Sequence, residues 1–291
     1  MIHSTNLPSK LALSLAFASL FISSSPWAEA KSEPSPDRAI SIKDNHSSEK
    51  NTVIFRVNAE RTIDATITFD CDGLENLRPS QKLPYTFTIK EPGKEREFMR
   101  LEQATKGAPW SYGHWHFRSR FGSSSSAETT DYPYALPYSP DEHYVVIQSY
   151  FGKFSHFRGS SSQYAVDFDM PEGSVVRTAR SGVVIAYRDD SDVGGKTEKF
   201  KGSDNYVIIK HDDGTYGTYA HLKHNGVHVK LGQSLAEGDE IGLSGATGWA
   251  DKPHLHFSVY RVLDSAEIES LPFHFKIGKA LIRRPIEGVL Y

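Results

Sequence analysis

Apolar and polar residues alternate with a period of two through much of the chain after residue 50. In the first half, apolar residues occupy every second position over 63–69 and again over 85–89. Such alternation is typical of antiparallel strands with one buried face, and no helical period of useful length is present there. We therefore predict a small β-sandwich-like domain over residues 51–137.

The second half of the chain repeats this pattern in shorter runs. Turn signals built from glycine, proline and aspartate separate the runs. The runs that predict strands are 174–179, 182–187, 205–210, 215–220, 227–229 and 254–259. They indicate a second β domain, built from hairpins, over residues 138–262. Residues 263–291 are expected to pack on the domains as an extension, and the predicted fold class is all-β.

The N-terminus has the pattern of an export signal. Lys10 is followed by an apolar run over 11–22 and then by the small-x-small sequence Ala28-Glu29-Ala30. We interpret residues 1–30 as a secretory signal peptide, because the apolar run is too short to span a bilayer comfortably. Residues 31–50 are polar and punctuated by proline, which predicts a flexible linker. The mature chain is then exported without a transmembrane anchor, to the periplasm or, as the alternative, into the medium.

Composition narrows the class of protein. The 291 residues carry a net charge of −3, with 38% hydrophobic and 24% charged residues, which is ordinary for a soluble globular protein. Because phosphate binding needs a basic face, this balance argues against nucleic acid as the main partner. Cys71 is the single cysteine, so an internal disulfide is excluded and we expect a small buried hydrophobic residue there.

Two histidines near the end of the chain are the clearest candidate chemistry. His254 and His256 alternate with Leu255 and Phe257, so on a strand both imidazoles point to one face. The glycine-rich segment 242–249 before them predicts a turn that lets the backbone approach a site closely. The pair is half of a zinc site, a ligand beside a proton-transfer group, or a surface strand that happens to carry two histidines.

Three further segments carry residues that could complete a site. Asp167 interrupts an apolar run, and a buried carboxylate must be paired, hydrogen-bonded or metal-bound. His156 lies eleven positions earlier, and His221 stands beside apolar neighbours. Two histidines and one carboxylate leave an open position on zinc, as catalytic sites do, whereas a structural zinc needs four protein ligands. Histidines that do not bind the metal can transfer the protons of amide hydrolysis and stabilise the oxyanion.

The ordered series of these motifs resembles the lysostaphin-type (LytM-like) zinc endopeptidases, which cut peptide cross-bridges in bacterial peptidoglycan. The resemblance covers about residues 150–262 and is carried by GKFSH (152–156), YAVDF (164–168), PEGSVV (171–176), SGVV (181–184), HDDGT (211–215), YAHL (219–222), SGATG (244–248) and PHLHF (253–257). It implies a lysostaphin-type antiparallel β catalytic domain with one zinc ion held by His156, Asp167 and His256. It also implies that His221 and His254 are catalytic without binding the metal.

One spacing departs from the family pattern, because many members place the first histidine nearer to the aspartate than His156 stands to Asp167. A loop can span the difference, and Asp169 on the same strand face fits the motif less well than Asp167. For the similar pair His114 and His116 we expect an aromatic, partly exposed strand, since no acidic ligand is near in sequence. Turn, surface or packing roles are expected for the other histidines, namely His143, His211, His224, His228 and His274.

These features predict an exported zinc endopeptidase that acts on peptidoglycan stem peptides. A second hypothesis is a catalytically silent wall-binding or activator protein, because some members of the family have lost ligands; the five intact positions favour the enzyme. The residues do not distinguish a direct D,D cross-link from a pentaglycine bridge. The N-terminal β domain is expected to bind wall or a partner, to cover the groove, or to act as a spacer.

Overall fold

The computed structural model describes residues 40–47, 52–124, 131–263 and 266–291. The predicted signal peptide and most of the predicted linker lie outside these residues. Within the described part the chain forms twenty strands and one short 3₁₀ helix, Glu198–Phe200, which confirms the all-β fold class. No helix of this part has the length and apolar character needed to cross a membrane.

The first seven strands form two small sheets. A four-stranded sheet with the order β1-β2-β6-β4 contains β1 Ser41–Ser47, β2 Thr52–Ala59, β4 Leu77–Pro79 and β6 Gly93–Gln103. A three-stranded sheet with the order β5-β3-β7 contains β3 Ala65–Cys71, β5 Tyr85–Ile89 and β7 Trp115–Phe121. The two sheets pack through their apolar faces, where the rings of Phe55 and Phe69 lie 4.7 Å apart. This is the predicted sandwich-like arrangement.

Strand β1 corrects part of the linker prediction over 31–50. Residues 41–47 pair with β2 in an unbroken antiparallel register. Ile40 and Ile42 are buried in the core beneath the sheet, while Lys43 is exposed. An edge strand tolerates such a polar composition because one of its sides faces solvent. The linker prediction was therefore wrong over these residues.

Ten strands from the second half form one large sheet. They are β9 Val146–Gln148, β10 Val166–Phe168, β11 Val175–Arg177, β12 Gly182–Arg188, β13 Asn205–Lys210, β14 Tyr216–Val227, β15 Ser234–Leu235, β16 Glu240–Ser244, β17 Leu255–Val262 and β18 Ile268–Ser270. The central order is β15-β12-β13-β14-β17-β10-β9, with β16 pairing β11 and β14, and β18 pairing β17. All of these pairings are antiparallel, as the predicted catalytic domain requires.

Three short strands form a further sheet at the expected domain boundary. They are β8 Pro133–Tyr134, β19 His274–Ile277 and β20 Ala280–Ile282, in the order β20-β19-β8. Tyr134 is buried with residues of the large sheet. The end of the predicted N-terminal domain at residue 137 is therefore too late, since β8 already packs with the second half of the chain.

The glycine-rich segment 242–249 is only partly a turn. Gly242 and Ser244 lie in strand β16, and the turn follows from Gly245. A Cβ atom on Gly242 would collide with the carbonyl oxygen of Gly226 on the neighbouring strand. Gly242 therefore permits close strand contact rather than a bend, which the pattern of glycines did not distinguish.

The large sheet buries both of its faces in different cores. The first core includes Phe55, Phe69, Tyr216 and Tyr260, and thus joins the N-terminal sheets to one face of the large sheet. The second core lies on the opposite face. It includes Val166, Phe168, Tyr219, Leu255 and Phe257. Since side chains alternate along a strand, Asp167 and His256 lie on the face of the first core.

Candidate active site

Four adjacent strands place one row of side chains across this face of the sheet. Asp167 on β10 stands opposite both Gln148 on β9 and His256 on β17. His256 in turn stands opposite Ala220 on β14. Directly opposed residues in antiparallel strands have Cβ atoms about 4.5–5.5 Å apart, so the register alone brings Asp167 and His256 together.

His156 reaches this row from the loop between β9 and β10. Its Nε2 atom lies 3.3 Å from Nδ1 of His256 and 3.4 Å from Oδ1 of Asp167, and the third separation, from His256 Nδ1 to Asp167 Oδ1, is 2.9 Å. His156 is fully buried, and Asp167 is 5% exposed. Among the described residues, these three form the one cluster of potential ligands whose donor atoms all lie within 4.8 Å of one another.

Burial and mutual charge set the protonation of this cluster. Burial opposes the charge on Asp167, but His156 and His256 outweigh it and hold the pKa of the carboxyl well below its usual range. Burial lowers the pKa of His256, whereas for His156 the neighbouring Asp167 overcomes burial and raises the pKa. The cluster is thus an ionised carboxylate between two imidazoles, a donor set that binds divalent metals.

The donor atoms fit zinc in type and in spacing. Bonds of about 2.0–2.1 Å in a tetrahedron place the ligand atoms roughly 3.3 Å apart, close to the three separations above. The Nδ1 atom of His156 donates to the carbonyl oxygen of Ser149 at 3.2 Å, which leaves the lone pair of Nε2 directed at the cluster. In metal sites, a hydrogen bond from the ring nitrogen that does not bind the metal fixes the tautomer and orientation of the histidine.

His221 lies beside the cluster because β14 contains a bulge at this position. Asn205 and Tyr206 on β13 pair with Leu222 and Ala220, so His221 is an extra residue without a partner in the ladder. Its φ of 63° lies in the left-handed region, which non-glycine residues adopt at some cost. Bulges re-aim side chains near functional sites, and here the His221 ring lies 5.9 Å from the ring of His256.

Thr247 holds His221 from the turn after β16. Nδ1 of His221 donates to the Thr247 carbonyl oxygen at 2.8 Å. The Thr247 hydroxyl donates to the Leu222 carbonyl oxygen at 2.7 Å and accepts from the backbone N–H of Asn205 at 2.9 Å. Burial and the nearby His254 and His256 lower the pKa of His221 to about 3, so its imidazole is neutral with Nε2 unprotonated.

His254 completes the group just before β17. Its ring lies 4.5 Å from the ring of His221, and its Nδ1 atom donates to the Lys252 carbonyl oxygen at 2.9 Å. His254 is 7% exposed. Two imidazoles with Nδ1 bonded to carbonyl oxygens thus stand side by side next to the cluster, each with Nε2 available as a proton acceptor.

The structure therefore brings together all five residues that the sequence singled out, while their chemical roles stay predictions. Asp169 is not part of the cluster, because its carboxylate pairs with Lys252 at 2.8 Å. His114 and His116 are exposed, and neither belongs to a metal-type cluster in the described part of the chain.

Within the described ranges the remaining histidines lie outside the site, although several have partners that the sequence did not indicate. His228 pairs with Glu240 at 2.7 Å and His274 with Asp131 at 3.1 Å. His211 is buried and bonds to the Ser181 carbonyl oxygen.

Sequence reasoning missed three residues that position members of the candidate site. The Gln148 amide donates to Oδ2 of Asp167 and to the Ser155 hydroxyl, each at 2.9 Å. Ser149 and Thr247 act through their carbonyl oxygens, as described above. Gln148 was detectable as a polar residue that ends an apolar run, the same signal that identified Asp167. Carbonyl oxygens leave no such signal.

An antiparallel sheet that gathers two histidines and an aspartate beside two further histidines has the features of a lysostaphin-type metallopeptidase domain. Residues 161–268 match the model of peptidase family M23. This match confirms the resemblance found in the sequence. The match begins after His156, so it does not include this residue.

Curated relatives align over the same region. Peptidoglycan DD-endopeptidase ShyA of Vibrio cholerae serotype O1 is 39% identical over 93 residues, which cover 32% of this chain and 19% of that protein. Lysostaphin of Staphylococcus simulans is 33% identical over 113 residues, which cover 38% of this chain and 21% of that protein. The chain thus spans about a fifth of the length of these two relatives.

Among solved structures, the catalytic domain of lysostaphin from Staphylococcus simulans is 25% identical, with 44% of this chain and 87% of that chain covered. The TM-score is 0.31, and at this value the likeness adds no weight to the family match.

Proposed function

We propose that this protein is an exported zinc endopeptidase that hydrolyses peptide cross-links of bacterial peptidoglycan. The convergence of Nε2 of His156, Oδ1 of Asp167 and Nδ1 of His256 carries the proposal, because these atoms come from separate strands and a loop yet match the spacing that zinc requires. The peptidase family of the matched region supports the reaction class.

In this proposal His156, Asp167 and His256 hold one zinc ion. When bound, zinc acts as a Lewis acid that activates water and polarises the carbonyl of the scissile amide. Three protein ligands leave a position open to solvent and substrate, which distinguishes a catalytic from a structural site. Gln148 keeps the Asp167 carboxylate oriented through its bond to Oδ2.

We assign the proton transfers to the pair His221 and His254. Both imidazoles bond through Nδ1 to backbone carbonyl oxygens, which leaves Nε2 as the atom that exchanges protons. His254 accepts the proton of the attacking water, because the lowered pKa makes His221 the weaker base. Delivery of that proton to the leaving amine restores the neutral imidazole and balances the reaction. Positioned general acid–base groups typically contribute about 10²- to 10⁴-fold in rate.

The names of the relatives support the substrate class but differ in the bond. ShyA is named a peptidoglycan DD-endopeptidase, whereas a Staphylococcus capitis relative that is 34% identical over 97 residues is named a glycyl-glycine endopeptidase. We therefore propose peptidoglycan stem peptides or their bridges as the substrate, with no nucleic acid partner. A wall substrate requires export, to the periplasm as the first expectation and to the medium as the alternative.

Digestion of defined, purified cross-linked muropeptides tests this proposal. One substrate carries a direct D,D cross-link and the other a pentaglycine bridge, and mass analysis identifies the products. We expect the zinc-loaded protein to cleave one of the two, and His254→Ala to lose about 10²-fold or more in rate. An inert wild type that binds zinc and wall material would instead favour the activator hypothesis.

A further inference from the structure

The last residues of the chain run along the outer edge of β9. The Val146 amide donates to the Val289 carbonyl oxygen at 3.0 Å, and the Gly288 amide donates to the Val146 carbonyl oxygen at 2.8 Å. Tyr144 and Tyr291 exchange two further backbone hydrogen bonds. Residues 285–291, which we call the C-terminal strap, thus continue the sheet beyond β9, although they lie outside the matched region 161–268.

Ser149 joins the C-terminal strap to the candidate metal site. Its hydroxyl donates to the Pro285 carbonyl oxygen at 2.6 Å, and its amide donates to Oε1 of Glu287 at 3.1 Å. Its carbonyl oxygen accepts the hydrogen bond from Nδ1 of His156. Ser149 is 2% exposed, and all of its polar groups are paired. The hydroxyl and the amide bond to the strap, and the carbonyl oxygen accepts from the proposed ligand and from the Gly152 amide at 3.0 Å.

The residue before Ser149 holds another proposed ligand. The side-chain nitrogen of Gln148 donates to the carboxylate of Asp167. Its Oε1 atom accepts hydrogen bonds from the backbone amides of Phe154 and Ser155, at 3.0 and 3.2 Å. Two consecutive residues at the end of β9 therefore orient two of the three candidate ligands. Since β9 lies at the end of the central strand order, the C-terminal strap is what covers its outer side.

We propose that the C-terminal strap is a positioning element of the metal site. By holding Ser149 from two sides, it keeps the carbonyl oxygen where His156 must donate Nδ1–H, and so keeps Nε2 directed at the metal. This inference rests on the proposed function, since it needs the cluster to bind metal. Loss of a residue that hydrogen-bonds to a metal ligand typically weakens metal binding about 10- to 100-fold. Because Glu287 acts on His156 only through Ser149, we expect a loss near the lower end, about tenfold.

Glu287 offers a clean perturbation because its side chain is at the surface. Glu287→Ala removes the acceptor of the Ser149 amide, while Glu287→Gln keeps an acceptor oxygen in the same place. Glu60→Ala, at an exposed glutamate in the turn after β2, is the matched control. Ser149→Ala removes the bond to Pro285 from the other side of the contact.

The test uses the full chain, freed of metal and then titrated with zinc against a chromophoric chelator. We expect the zinc dissociation constant to rise about tenfold in Glu287→Ala and in Ser149→Ala, and to stay near the wild-type value in Glu287→Gln and Glu60→Ala. The midpoint of thermal unfolding of the metal-free Glu287→Ala protein should fall modestly, because the Ser149 amide loses its acceptor, while that of Glu287→Gln should match the wild type.

Each other outcome identifies what fails. Equal zinc affinities in all variants would overturn the inference while leaving the proposed function intact. A lower unfolding midpoint of metal-free Glu287→Ala with unchanged zinc affinity would also overturn it, because the strap would then be merely structural. A wild-type protein that does not bind zinc would instead refute the proposed function itself.

Discussion

Asp204 carries a buried charge whose cost depends on pH. It lies directly before β13, is 5% exposed, and its Oδ2 atom has no hydrogen-bond partner among the described residues. Burial raises the pKa of its carboxyl from 3.8 to about 6, and its own backbone amide and Arg188 offset only part of this effect. One pKa unit corresponds to about 1.4 kcal/mol, so the shift is worth about 3 kcal/mol.

The sign follows from proton linkage. A carboxyl group with a raised pKa in the folded state binds its proton more tightly there than in the unfolded chain. Proton binding by Asp204 therefore contributes fully to the free energy of unfolding below pH 3.8, and this contribution is lost as the pH rises through about 6. Above that pH the folded protein holds a buried carboxylate that its surroundings compensate only in part.

We predict that Asp204→Asn raises the free energy of unfolding by up to about 3 kcal/mol at pH 8 and changes it little at pH 4. Urea unfolding of the metal-free variant and of the metal-free wild type at both pH values gives the difference in their free energies of unfolding. The contributions of the other titrating groups are the same in both proteins and cancel in this difference. Asp141→Asn, at an exposed carboxylate, is the control. A gain that is equal at both pH values, or a loss at pH 8, would refute the reasoning.

Three further substitutions test the contacts around the site. Gln148→Leu removes the donor to Asp167 and should weaken zinc binding about 10- to 100-fold in chelator competition; unchanged affinity would contradict its positioning role. Thr247→Val leaves a buried donor and acceptor unpaired, which should cost about 1–3 kcal/mol for each group in urea unfolding, whereas Thr247→Ser should retain most of the stability. Gly248→Ala should lower the thermal midpoint, because φ is 77° and the new Cβ would lie 2.7 Å from the Asp204 amide; an unchanged midpoint would show that the turn adapts.

The parts of the fold that repeat a local pattern were predictable. Period-two alternation located β11, β12, β13, β14 and β17, five of the ten strands of the large sheet, whereas the run 227–229 is only the end of β14 and the residues after it. The His-x-His spacing predicted that both imidazoles point to one face of a strand. The polar edge strand β1 was missed because its pairing with β2, rather than its own composition, makes it a strand. Strand β16 was hidden because Gly242 has a packing role that looks like a turn signal.

The candidate site was predictable as a set of residues but not as a supported structure. Asp167 stood out as a charge within an apolar run, and the register that sets it opposite His256 follows from strand pairing. The loop that returns His156 to this row depends on contacts with Ser149 and Gln148. Those contacts involve backbone atoms and the distant residue Glu287, which no local sequence pattern connects.

The zinc content of the purified protein tests the central claim most directly. Elemental analysis after zinc loading and exhaustive dialysis should give about one zinc per chain for the wild type and far less for Asp167→Asn. A wild type that retains no zinc, or a variant that retains as much as the wild type, would contradict the assignment of His156, Asp167 and His256 as the metal site.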